Sequence, residues 1–112
     1  MHEMSIAMSI VELAQKESMA AGGGRILRVE VEIGDLAGVM AEALEFCFEA
    51  ACRDTLAQGA ELIINRVPGE GECSGCRQRG PMNEQFALCP SCGGIMRAVQ
   101  GRELRLVALV TE

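Results

Sequence analysis

The sequence predicts an α+β protein: two helices packed on a three-stranded, mainly antiparallel sheet, with a small lobe inserted between strands 2 and 3. Three observations carry this expectation. Two stretches repeat apolar residues at helical spacing, and three others alternate them at strand spacing. Between the last two strands lie Cys73-x-x-Cys76 and Cys89-x-x-Cys92, with twelve residues separating the pairs. At 112 residues, 49% of them hydrophobic, the chain is one domain, or a small domain carrying a smaller insert, with enough apolar material for a compact core.

The elements follow in order. Residues Ser5 to Ala21 read as a helix whose apolar stripe is Ile6, Ile10, Leu13 and Ala14, with Ser5 as N-cap. Gly22-Gly23-Gly24 ends it, because three glycines raise the backbone-entropy cost of continuing. Met4, Met8 and Met19 are expected to fill gaps in the core rather than bind metal. From Ile26 to Ile33, Leu27, Val29, Val31 and Ile33 alternate with Arg28, Glu30 and Glu32, the pattern of a strand with one wet face. A second helix is expected from about Met40 to Leu56, with Leu44, Phe48 and Ala51 buried and Gly59 beyond its end. Cys47 and Cys52 lie five apart on it, poorly placed to bridge each other, and read as small buried hydrophobes. Leu62 to Val67 is the second strand, stopped by Pro68-Gly69, and Glu103 to Val110 the third. Apolar residues on both faces of the third favour a central or well-covered position.

Each Cys-x-x-Cys can bend into a knuckle that aims two thiolates at one point. Facing knuckles then make a tetrahedral sulfur site, the geometry zinc prefers. The inserted lobe is thus zinc-ribbon-like, with Cys73, Cys76, Cys89 and Cys92 as the zinc ligands. Four sulfurs close the coordination sphere and no histidine lies near them, so the zinc is expected to be structural rather than catalytic. Iron is the alternative metal, since Cys89-Pro-Ser-Cys-Gly resembles half of a rubredoxin site, but the wrapping aromatics are lacking. A thiol–disulfide enzyme would place its Cys-x-x-Cys at a helix start after a strand, and neither pair has that setting. The expected division is residues 1–68 and 102–112 as an α/β body and 69–101 as the lobe, hinged at Pro68-Gly69 and Gln100-Gly101.

Composition removes several classes. The net charge is −6, and four thiolates with one zinc ion would take it to −8. With one lysine and nine scattered arginines, and only Phe46, Phe48 and Phe86 aromatic, the chain is poorly equipped to grip phosphates or stack on bases. A zinc-ribbon module binding nucleic acid or a transcription complex is the alternative function that the spacing permits and the acidity opposes. No apolar run of ~18 residues is present to span a membrane. Charges interrupt the first apolar stretch, so no secretory signal is expected; a reducing cytoplasm is, with the cysteines free of disulfides.

The N-terminus offers a candidate second metal site, weighed against the ordinary reading of a lone terminal histidine as a solvated, uninvolved residue. His2 is the only histidine. The Met1 α-amine (ordinary pKa near ~7.7 to 8.0), the His2 backbone nitrogen and imidazole, and the Glu3 backbone nitrogen form a planar nitrogen set that suits Ni(II) or Cu(II). Binding requires proton loss, so affinity should fall with pH.

The start Met1-His2-Glu3-Met4-Ser5, the strand end Glu30-Val31-Glu32-Ile33-Gly34, the segment Leu44-Glu45-Phe46-Cys47-Phe48 and the four-cysteine module together resemble the HypA/HybF family over essentially the whole chain. These are nickel metallochaperones of [NiFe]-hydrogenase maturation. The resemblance implies a non-enzymatic, cytoplasmic protein that holds Ni(II) as transient cargo at the N-terminus. His2 and the Met1 α-amine would be ligands, and Glu3 would contribute through its backbone and by support. It implies structural Zn(II) in the four cysteines, and a nickel-handling GTPase and the hydrogenase large subunit as partners. Some relatives also serve urease. The chain would act as a monomer or homodimer, without nucleic acid or membrane. A supporting acid at Asp35 or Glu42 is weighed against the favoured reading of both as solvated carboxylates.

Overall fold

In the computed structural model, residues 2–112 are described. The order is α1 (Glu3–Ala20), β1 (Ile26–Gly34), α2 (Ala41–Cys52), β2 (Glu61–Val67), β3 (Glu70–Cys73), β4 (Arg79–Pro81), β5 (Met96–Gln100) and β6 (Leu104–Thr111). They form two three-stranded sheets, ordered β2-β1-β6 and β4-β3-β5. The chain divides into two compact units: residues Met1–Glu32, Val39–Asn65 and Arg105–Glu112, and residues Ile33–Gly38 with Arg66–Leu104.

The first unit holds both helices. α1 starts two residues before the expected Ser5 cap: His2 stands at the N-cap in extended conformation and Glu3 lies in the first turn. A carboxylate there complements the helix dipole. The buried stripe of α1 is Ile6, Ala7, Ile10, Val11, Ala14 and Ser18. Leu13, Met4, Met8 and Met19 were expected inside but are 42%, 42%, 58% and 68% exposed. The expected Ile6, Ile10 and Ala14 are buried, and Ala7, fully buried, joins them, so backbone rather than long side chains approaches the neighbouring layer. Past the helix, Gly23 donates to the Ser18 carbonyl at 2.8 Å and the Ser18 hydroxyl donates to the Gly24 carbonyl at 2.5 Å, satisfying the C-terminal end.

β1 is central, and Val29 and Val31 are fully buried on it. At its start Ile26 takes the buried place and Leu27 is 43% exposed. Arg28 pairs with Glu61 and Glu30 with Asn65, residue numbers rising together, so β1 and β2 run parallel. Arg105 pairs with Glu32 while Glu112 donates to the Arg25 carbonyl, so β1 and β6 run antiparallel. The parallel pair needs a crossover, and α2 supplies it. That helix ends at Cys52, short of Leu56: Arg53 turns extended, Asp54 is left-handed at φ 61°, and the Thr55 hydroxyl donates to the Cys52 carbonyl at 2.6 Å. Leu44, Phe48 and Cys52 are its buried residues. β6 lies at an edge, not centrally, with Leu104, Val107 and Val110 about two-fifths exposed, because β2 and β6 take the two sides of β1.

The second unit has its own sheet, with β3 antiparallel to both β4 and β5. Its core is Leu36, Cys73, Met82, Cys89 and Met96, with Ala87 and Ala98 packed against it. At the base, the joints expected to hinge are close-packed. Cβ atoms added at Gly34 and Gly69 would overlap the Gly101 and Met82 carbonyls, and one at Gly101 would sit 2.7 Å from the Gly69 Cα. The Gln100 amide donates to the Pro68 carbonyl at 2.9 Å, Leu36 N–H to the Gly101 carbonyl at 2.7 Å, and the Gln85 amide to the Leu36 carbonyl.

Candidate metal centres

The two knuckles are built alike. Cys73 ends β3 and Cys89 follows an isolated bridge, Leu88 to Ile95. In each, the residue after the second cysteine is left-handed and donates back to the first cysteine's carbonyl: Arg77 (φ 64°) to Cys73 at 3.0 Å, and Gly93 (φ 77°) to Cys89 at 2.9 Å. Such a reversal brings both thiols of a pair to one side. Cys73 and Cys89 are buried, Cys76 and Cys92 exposed. The four Sγ atoms lie within 4.8 Å of one another, with Cys73 to Cys92 at 3.4 Å and Cys76 to Cys89 at 3.7 Å. A zinc–sulfur bond of ~2.3 Å sets a tetrahedron edge of about 3.8 Å, so the cage fits the ion. All four residues named from spacing converge there, and Cys47 and Cys52 stay outside, free.

The electrostatics point the same way. Backbone N–H groups of Cys76 and Gly75 direct at the Cys73 sulfur and pull its thiol down to about 6. The Cys89 thiol is lowered by the N–H groups of Cys92 and Ser91. The Gln78 N–H favours the Cys76 thiolate, but the Cys89 sulfur, burial and the other thiols push it up to about 11. Several thiolates cannot coexist at these distances without a cation to neutralise them. Outside the cage, burial alone pushes the Cys52 thiol up to about 11, which suits an inert core residue.

At the other end, His2 is exposed at the N-cap of α1, with no side-chain capping bond, and its carbonyl accepts the Ile6 N–H at 3.2 Å. Met1 lies outside the described residues. The Glu3 carboxylate accepts the Met40 N–H at 3.2 Å, across from α1 to the residue that caps α2. That bond, and Glu3's own N–H, hold its carboxyl below the ordinary value of 4.5. Nothing in the sequence pattern signalled this bridge, because it joins residues 37 apart. Asp35 is taken by Arg66, at 3.0 Å, and Glu42 is exposed.

Fold and cage define a small metal-binding protein: an α/β unit and a four-thiolate ribbon unit. The family model described as hydrogenase/urease nickel incorporation, metallochaperone, HypA matches residues 1–111, and the chain belongs to that family. Among relatives, the hydrogenase maturation factor HypA of Geobacter metallireducens is 54% identical and that of Chlorobaculum tepidum 44%, each alignment covering both chains fully. The solution structure of the nickel metallochaperone HypA from Helicobacter pylori is 26% identical, with a TM-score of 0.71 over 99% of this chain and 97% of that one. The family's work is nickel incorporation, and the cysteine cage fits a structural zinc. The nucleic-acid alternative is not favoured: the ribbon unit has five arginines against five acids, with no basic tract. No helix among the described residues is long and apolar enough to cross a membrane.

Proposed function

We propose that the chain binds Ni(II) at its N-terminus, through the Met1 α-amine, the His2 imidazole and the His2 and Glu3 backbone nitrogens, and surrenders it during [NiFe]-hydrogenase maturation. The observation that carries this reading is the position of His2. It is exposed, extended, and placed where an α-helix has no internal acceptors for its first N–H groups. Amide nitrogens there can lose protons to a metal without breaking helical bonds. Cys73, Cys76, Cys89 and Cys92 hold zinc as a scaffold, and no residue performs catalysis. The work is cytoplasmic, with a nickel-handling GTPase as donor-side partner and the hydrogenase large subunit as recipient. The α/β body 1–68 and 102–112 carries the cargo, and 69–101 carries the zinc.

Nickel titration of the zinc-loaded protein tests it. His2→Ala should weaken binding ~100-fold or more, beyond the loss typical of a supporting residue. A tag fused before Met1 should do the same, and affinity should fall as pH falls because every ligand must be deprotonated. Unchanged nickel affinity in both variants would refute the site.

A further inference from the structure

The outward face of α2 carries a feature that neither metal site uses. At ~100° per residue, the buried stripe of Leu44, Phe48 and Cys52 leaves Phe46 at the centre of the opposite face, 75% exposed. Ala43 and Ala50, half-buried, flank it on one side, one turn before and after. Exposed Glu42 and Glu49 flank it on the other. Small residues beside a protruding ring make a knob with a shallow groove, the relief that another helix packs against. An aromatic ring left in water contributes nothing to this fold and is the kind of residue that anchors interfaces.

Charge identifies the occupant. α2 contains three glutamates and no basic residue. Among the described residues none of the three is in an ion pair. The unit that contains α2 carries eleven acids against five basic side chains, net −6, while the ribbon unit is neutral. A second copy of this chain would set glutamates against glutamates, which like-charge repulsion penalises. The geometry points to a docking surface for a cationic amphipathic helix of a partner protein: its apolar stripe receives Phe46 and covers Ala43 and Ala50, and its Lys or Arg residues meet Glu42 and Glu49. Phe46 lies six residues, about 9 Å of helix rise, beyond Met40, which the Glu3 carboxylate holds. A helix docked there sits beside the N-terminal cargo site. The surface deepens the nickel-delivery reading and rests on it for its purpose, but docking itself requires no nickel.

The test uses the full zinc-loaded chain without nickel, so that failure of docking and failure of nickel binding are read separately. The probe is a 20-residue synthetic helix with a leucine stripe flanked by lysines, titrated by calorimetry and followed by amide NMR. Saturable one-to-one binding is expected, with shifts at Ala43, Phe46 and Ala50. Phe46→Ala should weaken binding at least tenfold while leaving the thermal midpoint unchanged. Glu42→Gln with Glu49→Gln should weaken it and flatten its salt dependence, and a probe with glutamates in place of lysines should not bind. Equal affinity for Phe46→Ala, shifts spread elsewhere over the acidic unit, or a Phe46-dependent dimer in sedimentation would overturn the proposal.

Discussion

Gly94 is the tightest residue of the cage. A Cβ there would stand 2.9 Å from the Cys73 sulfur and 3.3 Å from that of Cys92. Gly94→Ala should therefore push two ligands apart and weaken zinc at least tenfold in chelator competition, with the fold of the helical unit retained. Arg77 is the converse case, a long side chain on a left-handed backbone where its counterpart Gly93 is free of Cβ strain. Arg77→Gly should retain zinc and raise stability by about 1 kcal/mol in denaturant unfolding. The cage was fully legible in the sequence, because the Cys-x-x-Cys spacing itself encodes the knuckle. The difference between the buried and exposed cysteine of each pair was not. It depends on Met82 and Met96, which pack beneath Cys73 and Cys89 and carry no periodic signal of their own.

At the scale of elements, the bridge from Glu3 to the start of α2 makes the two helices respond together to acid. Glu3's carboxyl is lowered in the folded chain, so the bond is intact above 4.5 and is lost as pH falls through its lower folded value. The Met40 amide resonance should titrate with a midpoint below 4.5, and Glu3→Gln should abolish that titration. Leu44, fully buried, is the packing test: Leu44→Ala should cost about 3 kcal/mol in denaturant unfolding. The strand β1 and both helices were readable from period alone. The inward stripe of α1 was legible through Ile6, Ile10 and Ala14, but its edges were not, because Leu13, Met4 and Met8 are as apolar as the residues that bury. Ala7, which the pattern did not single out, is buried beside the expected Ala14, both small enough to let another layer come close. Likewise the apolar run of β6 could not reveal an edge, since pairing on one side only is a property of the neighbours.

At the scale of the whole molecule, metal and polypeptide divide the support of the ribbon unit between them. Its base is held without sulfur: Gly34 donates to the Glu103 carbonyl at 2.7 Å, Asp35 to the Val67 carbonyl at 2.8 Å and Leu36 to the Gly101 carbonyl at 2.7 Å. Chelating zinc should raise amide exchange at Cys76, Arg77 and Gly93, while the amides of Gly34, Asp35 and Leu36 keep their protection. Loss of protection at the base on chelation would show that the metal supports the whole unit. Gly69 and Gly101, read as hinge positions in sequence, pack closely there with Gly34 as a seam. Their close approach bears on the order of assembly. Because the seam already brings the two ends of the ribbon segment together, an arriving ion has only the twelve residues between the pairs left to close, and loop closure grows costlier with length. If the base keeps its protection on chelation, a newly made chain is expected to set its frame first and load zinc late and locally.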